Sequence, residues 1–139
     1  MSTGRNDPPT PVVIDSSAGV ELVANTPRGS MLRRLLRPNS APWVPDLFYA
    51  ECGSVLRKWD LNGIIPPDFL AASIADLLAW PVRVAQTAGL WTDAWRFRHN
   101  FTFADAVYIV LAQHLGADIL SDDRNMANSP TLPVRVLHL

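Results

Sequence analysis

Val12-Val13-Ile14 is a short apolar, β-branched run that ends on a carboxylate, Asp15. A run with no polar alternation belongs to a strand covered on both faces. The pattern returns at Ile119-Leu120, which leads into Ser121-Asp122-Asp123, and Val82 to Ala85 and Val134 to Leu137 read as further short strands. Between these runs the apolar spacing becomes helical. Phe48, Cys52, Val55, Leu56 and Trp59 recur on one face of a helix over 46–59. Strands alternating with helices predict an α/β fold, with a parallel sheet covered on both faces by helices. In such folds ligands sit beyond the carboxyl ends of the strands, where strand order reverses. Asp15 and Asp123 both stand at such ends.

The punctuation is equally legible. Pro8, Pro9 and Pro11 block regular structure, so residues 1–10 are expected to form a mobile tail and 11–139 one domain. Ser16 or Ser17 caps a helix running to about Asn25. Pro27 stops it and starts another over 28–37, and Pro38, Pro42 and Pro45 predict a loop. Asn62-Gly63 ends the helix over 46–59, and Pro66-Pro67 opens the next over 68–78. A helix is expected over 87–98. Thr102 caps an apolar helix over 103–115 that Gly116 ends, and a short helix is expected over 122–127.

Four acids in apolar or turn-forming surroundings carry the chemistry: Asp15, Glu51, Asp105 and Asp123. Each has an ordinary structural explanation. Asp15 can begin a turn, Asp105 can complete a capping arrangement with Thr102, and Asp122 or Asp123 can cap the following helix. Glu51 can lie half-exposed at the edge of its stripe, yet it sits mid-helix and has no capping role. A carboxylate is costly to bury uncompensated, and several together repel one another unless a cation intervenes. An all-oxygen cluster selects Mg2+ or Mn2+ over zinc. Such an ion lowers the pKa of bound water and stabilises charge on a transferring phosphoryl group. Asp122 is a further possible ligand, and Ser17 and Ser121 are placed to orient ligands or water from behind.

These residues also carry a resemblance. Val-Val-Ile-Asp-Ser-Ser-Ala at 12–18 resembles the opening strand and turn of PIN-domain ribonucleases. Pro-Asp-Leu-Phe-Tyr-Ala-Glu-Cys-Gly-Ser-Val-Leu at 45–56 is similar to their second motif, with its glutamate at Glu51. Residues 98–108, Arg-His-Asn-Phe-Thr-Phe-Ala-Asp-Ala-Val-Tyr, resemble the third, with its aspartate at Asp105. Leu-Ser-Asp-Asp-Arg at 120–124 resembles the fourth, with its aspartate at Asp123, and Val134 to Leu137 fits the last strand. Length and motif style are closest to the VapC toxins. The resemblance implies a three-layer α/β/α sandwich with a short, mainly parallel sheet. It implies a metal-dependent endoribonuclease that uses Asp15, Glu51, Asp105 and Asp123, cleaves cellular RNA and is silenced by a VapB-type antitoxin. It also implies a homodimer. Two departures stand out: Gln113 occupies the neighbourhood where many relatives carry another acid, and Asp122 adds an acid where a neutral residue is commoner.

Other features bound this reading. The net charge is −1, so no global basic field announces nucleic acid. Arg28, Arg33, Arg34 and Arg37 nonetheless form a local basic cluster able to hold RNA phosphates, or else a solvated face. Cys52 is the single cysteine and cannot form an internal disulfide, which fits a reducing cytoplasm. No apolar stretch is long enough to span a bilayer. His99, His114 and His138 lack zinc spacing with Cys52, and no Walker loop, dinucleotide fingerprint or Gly-x-Ser-x-Gly elbow is present. Two other readings compete. A doubly wound phosphoacceptor domain also gathers aspartates and magnesium at strand ends, but needs a lysine near the site, and Lys58 lies mid-helix beside Trp59. The other is a non-catalytic PIN-like binding module.

Overall fold

The computed structural model of the chain describes residues 8–139. Its strands are β1 (Thr10–Ile14), β2 (Ser40–Pro45), β3 (Arg83–Ala85), β4 (Asp118–Leu120) and β5 (Val136–Leu137). Every pairing is parallel, and the order across the sheet is β3-β2-β1-β4-β5. The chain therefore builds outward from β1 to β3, then returns to add β4 and β5 on the other side of β1. The reversal falls between β1 and β4, so the carboxyl ends of these two strands flank the crevice that such sheets offer to ligands.

The helices are α1 (Ser16–Val23), α2 (Pro27–Arg33), α3 (Leu47–Leu61), α4 (Pro67–Ala79), α5 (Trp91–Trp95), α6 (Phe103–Leu115) and α7 (Arg124–Ala127). α6 packs across β1, β2 and β4, with α5 against it, while α1 packs on α2, α3 and α4. The architecture is the expected α/β/α sandwich. Residues Ala106 to Ala112 of α6 are all buried, as a helix apolar on every side must be. Gly116 closes α6 in the left-handed region at φ 61°, a conformation that favours glycine. Gly29 allows the α1–α2 crossing: a Cβ there would stand 2.1 Å from the Glu21 carbonyl oxygen. Val13, Ile14, Val44, Phe48, Ile109, Ile119 and Leu120 are fully enclosed in the core. No described helix is long and apolar enough to cross a membrane.

Several local expectations are corrected. The prolines at 38–45 do not make a loop, because Ser40–Pro45 is a strand with neighbours on both sides. The missing N–H groups are tolerated by position. β3 pairs only with Trp43 to Pro45, so Pro42 lies beyond its end, and Pro45 is the strand's last residue. The helix expected over 87–98 is a 3-10 turn over Thr87–Leu90 followed by the five-residue α5. Neither Ser16 nor Ser17 caps α1. Asp15 holds the N-cap position, and its main-chain oxygen accepts from the N–H groups of Ala18 and Gly19. Of the tail expected over 1–10, residues 1–7 lie outside the described residues, and Thr10 opens β1.

Candidate active site

Asp15 directly follows β1 and is 6% exposed. Its carboxylate is held by the loop that follows β4. The Ser121 hydroxyl donates to Asp15 Oδ2 at 2.8 Å and the Ser17 hydroxyl to the same oxygen at 3.0 Å. Each hydroxyl in turn accepts a main-chain N–H of that loop: Asp122 N–H donates to Ser17 Oγ at 2.9 Å and Asp123 N–H to Ser121 Oγ at 3.0 Å. Asp15 N–H closes the arrangement with a 3.0 Å bond to the Leu120 carbonyl. The two strand ends at the sheet's reversal point are thus stitched through a pair of serines that share Asp15 Oδ2, while Oδ1 accepts from the Ser16 hydroxyl at 3.5 Å.

The other acids arrive from separate elements. Glu51, half-buried on α3, accepts from the Tyr108 hydroxyl at 2.7 Å. Asp105, half-buried, sits in the first turn of α6, where its N–H donates to the Thr102 side chain at 3.2 Å. Asp123 caps α7, accepting from Asn125 N–H at 2.9 Å. The capping roles of Asp105's turn and of Asp123 are therefore real, and they coexist with a shared electrostatic neighbourhood. The Asp15 carboxyl is held above the usual range, first by burial, and the charge of Asp123 pushes it the same way; its bonds from Ser121, Ser17 and Ser16 N–H pull it back. Glu51 is raised by burial and by the charges of Asp15 and Asp105, against the lowering bonds from Tyr108 and, more weakly, the Ser16 side chain. Asp105 is raised by burial and then by Asp15 and Asp123. Among the described residues no basic side chain offsets these three shifts.

That pattern fits a hard dication. The donors are all oxygen, partly desolvated, mutually repelling and without a compensating positive charge. They are not a finished cage: among the described residues no three acidic, histidine or cysteine side chains stand close enough to chelate an ion as they are. Cavities of about 450, 520 and 420 Å3 lie elsewhere, lined by none of the four acids.

Asp122 is differently engaged. Arg28, at the start of α2, grips it with both Nε and Nη2, at 2.8 and 2.5 Å. The arginines read as a basic cluster are not gathered into one patch. Arg28 is at the acidic end of the sheet. Arg33 donates to the Leu22 carbonyl at 3.3 Å, and Arg34 is exposed beyond the end of α2. Arg37 lies with Thr10, Ser40 and Asp118 at the amino ends of the strands, the end opposite Asp15. Cys52 is fully buried, and burial, then the charges of Glu51 and Asp15, push its thiol up to about 12, so it is no nucleophile.

Two contacts escaped the sequence reading: the Tyr108–Glu51 bond and the Arg28–Asp122 pair. Tyr108 had a signal, because it follows Asp105 by one turn and so shares its face of α6. Nothing local links Arg28 to a residue 94 positions away.

The PIN domain family model matches residues 12–130. Ribonuclease VapC1 of Mycobacterium tuberculosis is 32% identical over 126 residues, covering 89% of this chain and 94% of that one. Ribonuclease VapC3 of the same organism is 30% identical over 129 residues, covering 93% and 94%. Among solved structures, the M. tuberculosis toxin VapC20 superposes with a TM-score of 0.63 at 19% identity, covering 89% of this chain and 98% of its own. VapBC2 from Rickettsia felis gives a TM-score of 0.58 at 10% identity, covering 92% and 98%. With its motifs in order along a sheet of the same architecture, the chain belongs to the PIN-domain family.

Proposed function

We propose that this chain is a VapC-type endoribonuclease toxin that hydrolyses RNA phosphodiester bonds at Asp15, Glu51, Asp105 and Asp123 with Mg2+, or Mn2+ in its place. One observation carries the proposal: carboxylates from four separated segments act on one another electrostatically at the sheet's reversal point, and among the described residues no basic side chain offsets the shifts of Asp15, Glu51 and Asp105. The relatives named ribonuclease, matched over nearly their whole length, support the reaction class.

Bound to these acids, a divalent ion would activate water and neutralise charge on the scissile phosphate. The chain's own residues do the rest. Asp15, Glu51, Asp105 and Asp123 supply the oxygens. Ser17 and Ser121 hold Asp15 Oδ2 and so restrict its rotation. Arg28, half-exposed beside the site, occupies Asp122 and keeps that extra acid from adding to the repulsion.

A VapB-type antitoxin is the proposed partner. A groove of about 520 Å3, lined by Pro27, Arg28, Trp59, Ile64 and Phe69, offers apolar surface to a peptide, and its Arg28 is the residue that pairs with Asp122. The solved VapBC2 complex supports the pairing. The test is cleavage of a single-stranded RNA by the purified chain. Cleavage is expected with Mg2+, and none with EDTA or in D15N; metal-independent cleavage would defeat the proposal.

A further inference from the structure

Tyr108 is the largest fully buried side chain of α6, 1% exposed among apolar neighbours. A buried phenol must place its O–H on an acceptor. Here the acceptor is Glu51 Oε1 on α3, 2.7 Å away. Asp105, one turn earlier on α6, acts electrostatically on the same glutamate. One helix therefore supplies an acid of the site and the donor that restrains a second acid on a different helix.

We propose that Tyr108 is a positioning residue for the divalent ion: by occupying Oε1 it fixes the Glu51 carboxylate, which then offers the ion its other oxygen. The inference rests on the metal-dependent reading above. Its physical basis is the freedom of a glutamate side chain. Glu51 is half-buried, projects from mid-helix and is repelled by Asp15 and Asp105. With the Tyr108 bond lost, only the Ser16 side chain would restrain it, and the ion would have to order more of it on binding. Phenylalanine at this position would keep the ring and its packing and lose only the bond.

The experiment is Mn2+ binding without RNA, by titration calorimetry, to the unmodified chain, Y108F, E51A and the double variant, with melting curves in EDTA alongside. The unmodified chain is expected to bind. Y108F should keep a cooperative melt and bind Mn2+ about 10- to 100-fold more weakly. In RNA cleavage its rate should fall at limiting Mn2+ and recover at saturating Mn2+, with KM for RNA unchanged. In the E51A background, Tyr108→Phe should cost no more than a further factor of about two, because its effect runs through Glu51. Binding by Y108F equal to the unmodified chain would overturn the positioning role and leave the metal reading standing. So would an undiminished penalty in the E51A background, or loss of the cooperative melt. Absence of Mn2+ binding by the unmodified chain would remove both.

Discussion

Gly29 gives the sharpest test of how the site is mounted. Replacing it with alanine adds one carbon, which would sit 2.1 Å from the Glu21 carbonyl oxygen and 2.7 Å from its carbon. Both atoms belong to the α1 backbone, so no side-chain rotation relieves the clash and α2 must move away by about 1 Å. Overpacking of this kind costs about 3 kcal/mol, against which alanine's better helix propensity returns about 1 kcal/mol, leaving a net loss of about 2 kcal/mol. Unfolding entropy of about 2.1 cal/mol/K per residue over 139 residues amounts to about 0.29 kcal/mol/K, so the melting temperature should fall by about 7 °C. Gly53 is the control. It lies in α3 with nothing within 4 Å of an added Cβ. There the same substitution should gain about 0.5–1 kcal/mol and raise the midpoint by about 2–3 °C. Melting curves by circular dichroism, in EDTA, read both. A Gly29→Ala protein melting within about 2 °C of the parent would refute the close-crossing argument. Because Arg28 adjoins Gly29 and grips Asp122, RNA cleavage by the Gly29→Ala protein should fall as well.

Other outcomes follow from the carboxylates. The folded pKa of Asp15 lies above its ordinary 3.8, so the native state binds more protons than the unfolded chain from about pH 4 upward. Metal-free stability due to this group must therefore decline as pH rises through that window. Asp15→Asn should flatten the decline, raise the metal-free melting temperature at neutral pH and abolish cleavage; a lower midpoint at pH 7 would contradict the sign. Mg2+ at about 100 times its dissociation constant should stabilise the native chain by about 2.7 kcal/mol, raising the midpoint by about 9 °C, reversibly with EDTA. No shift would count against a metal site. Asp122→Asn should reduce cleavage less than Asp123→Asn. Asp122 is already paired with Arg28, whereas Asp123 acts on both Asp15 and Asp105. Equal or reversed losses would show that Asp122 is the working acid.

What the linear chain determined was whatever depends on neighbours in sequence. Val12 to Ile14 and Ile119-Leu120 declare strands covered on both faces, because no polar residue interrupts them. Thr102 and Gly116 bracket α6, because a hydroxyl accepts the first free N–H groups and a glycine tolerates φ 61°. The acids at the ends of those strands followed from the same local pattern. β2 was hidden because three prolines argue for a loop, yet Pro38 precedes the strand, Pro42 lies beyond the end of the short β3, and Pro45 is the strand's last residue.

Tertiary structure alone decided the rest, because side-chain direction is a property of the packed fold. Two arginines close in sequence, Arg28 and Arg37, were sent to opposite ends of the sheet. Arg28 found Asp122 across 94 positions, and Tyr108 found Glu51 across 57. Two serines separated by 104 residues meet on one oxygen of Asp15 because β1 and β4 are adjacent in the sheet. Sequence names the ionisable groups, but burial and distance set their charge, and both exist only once strand order has been fixed.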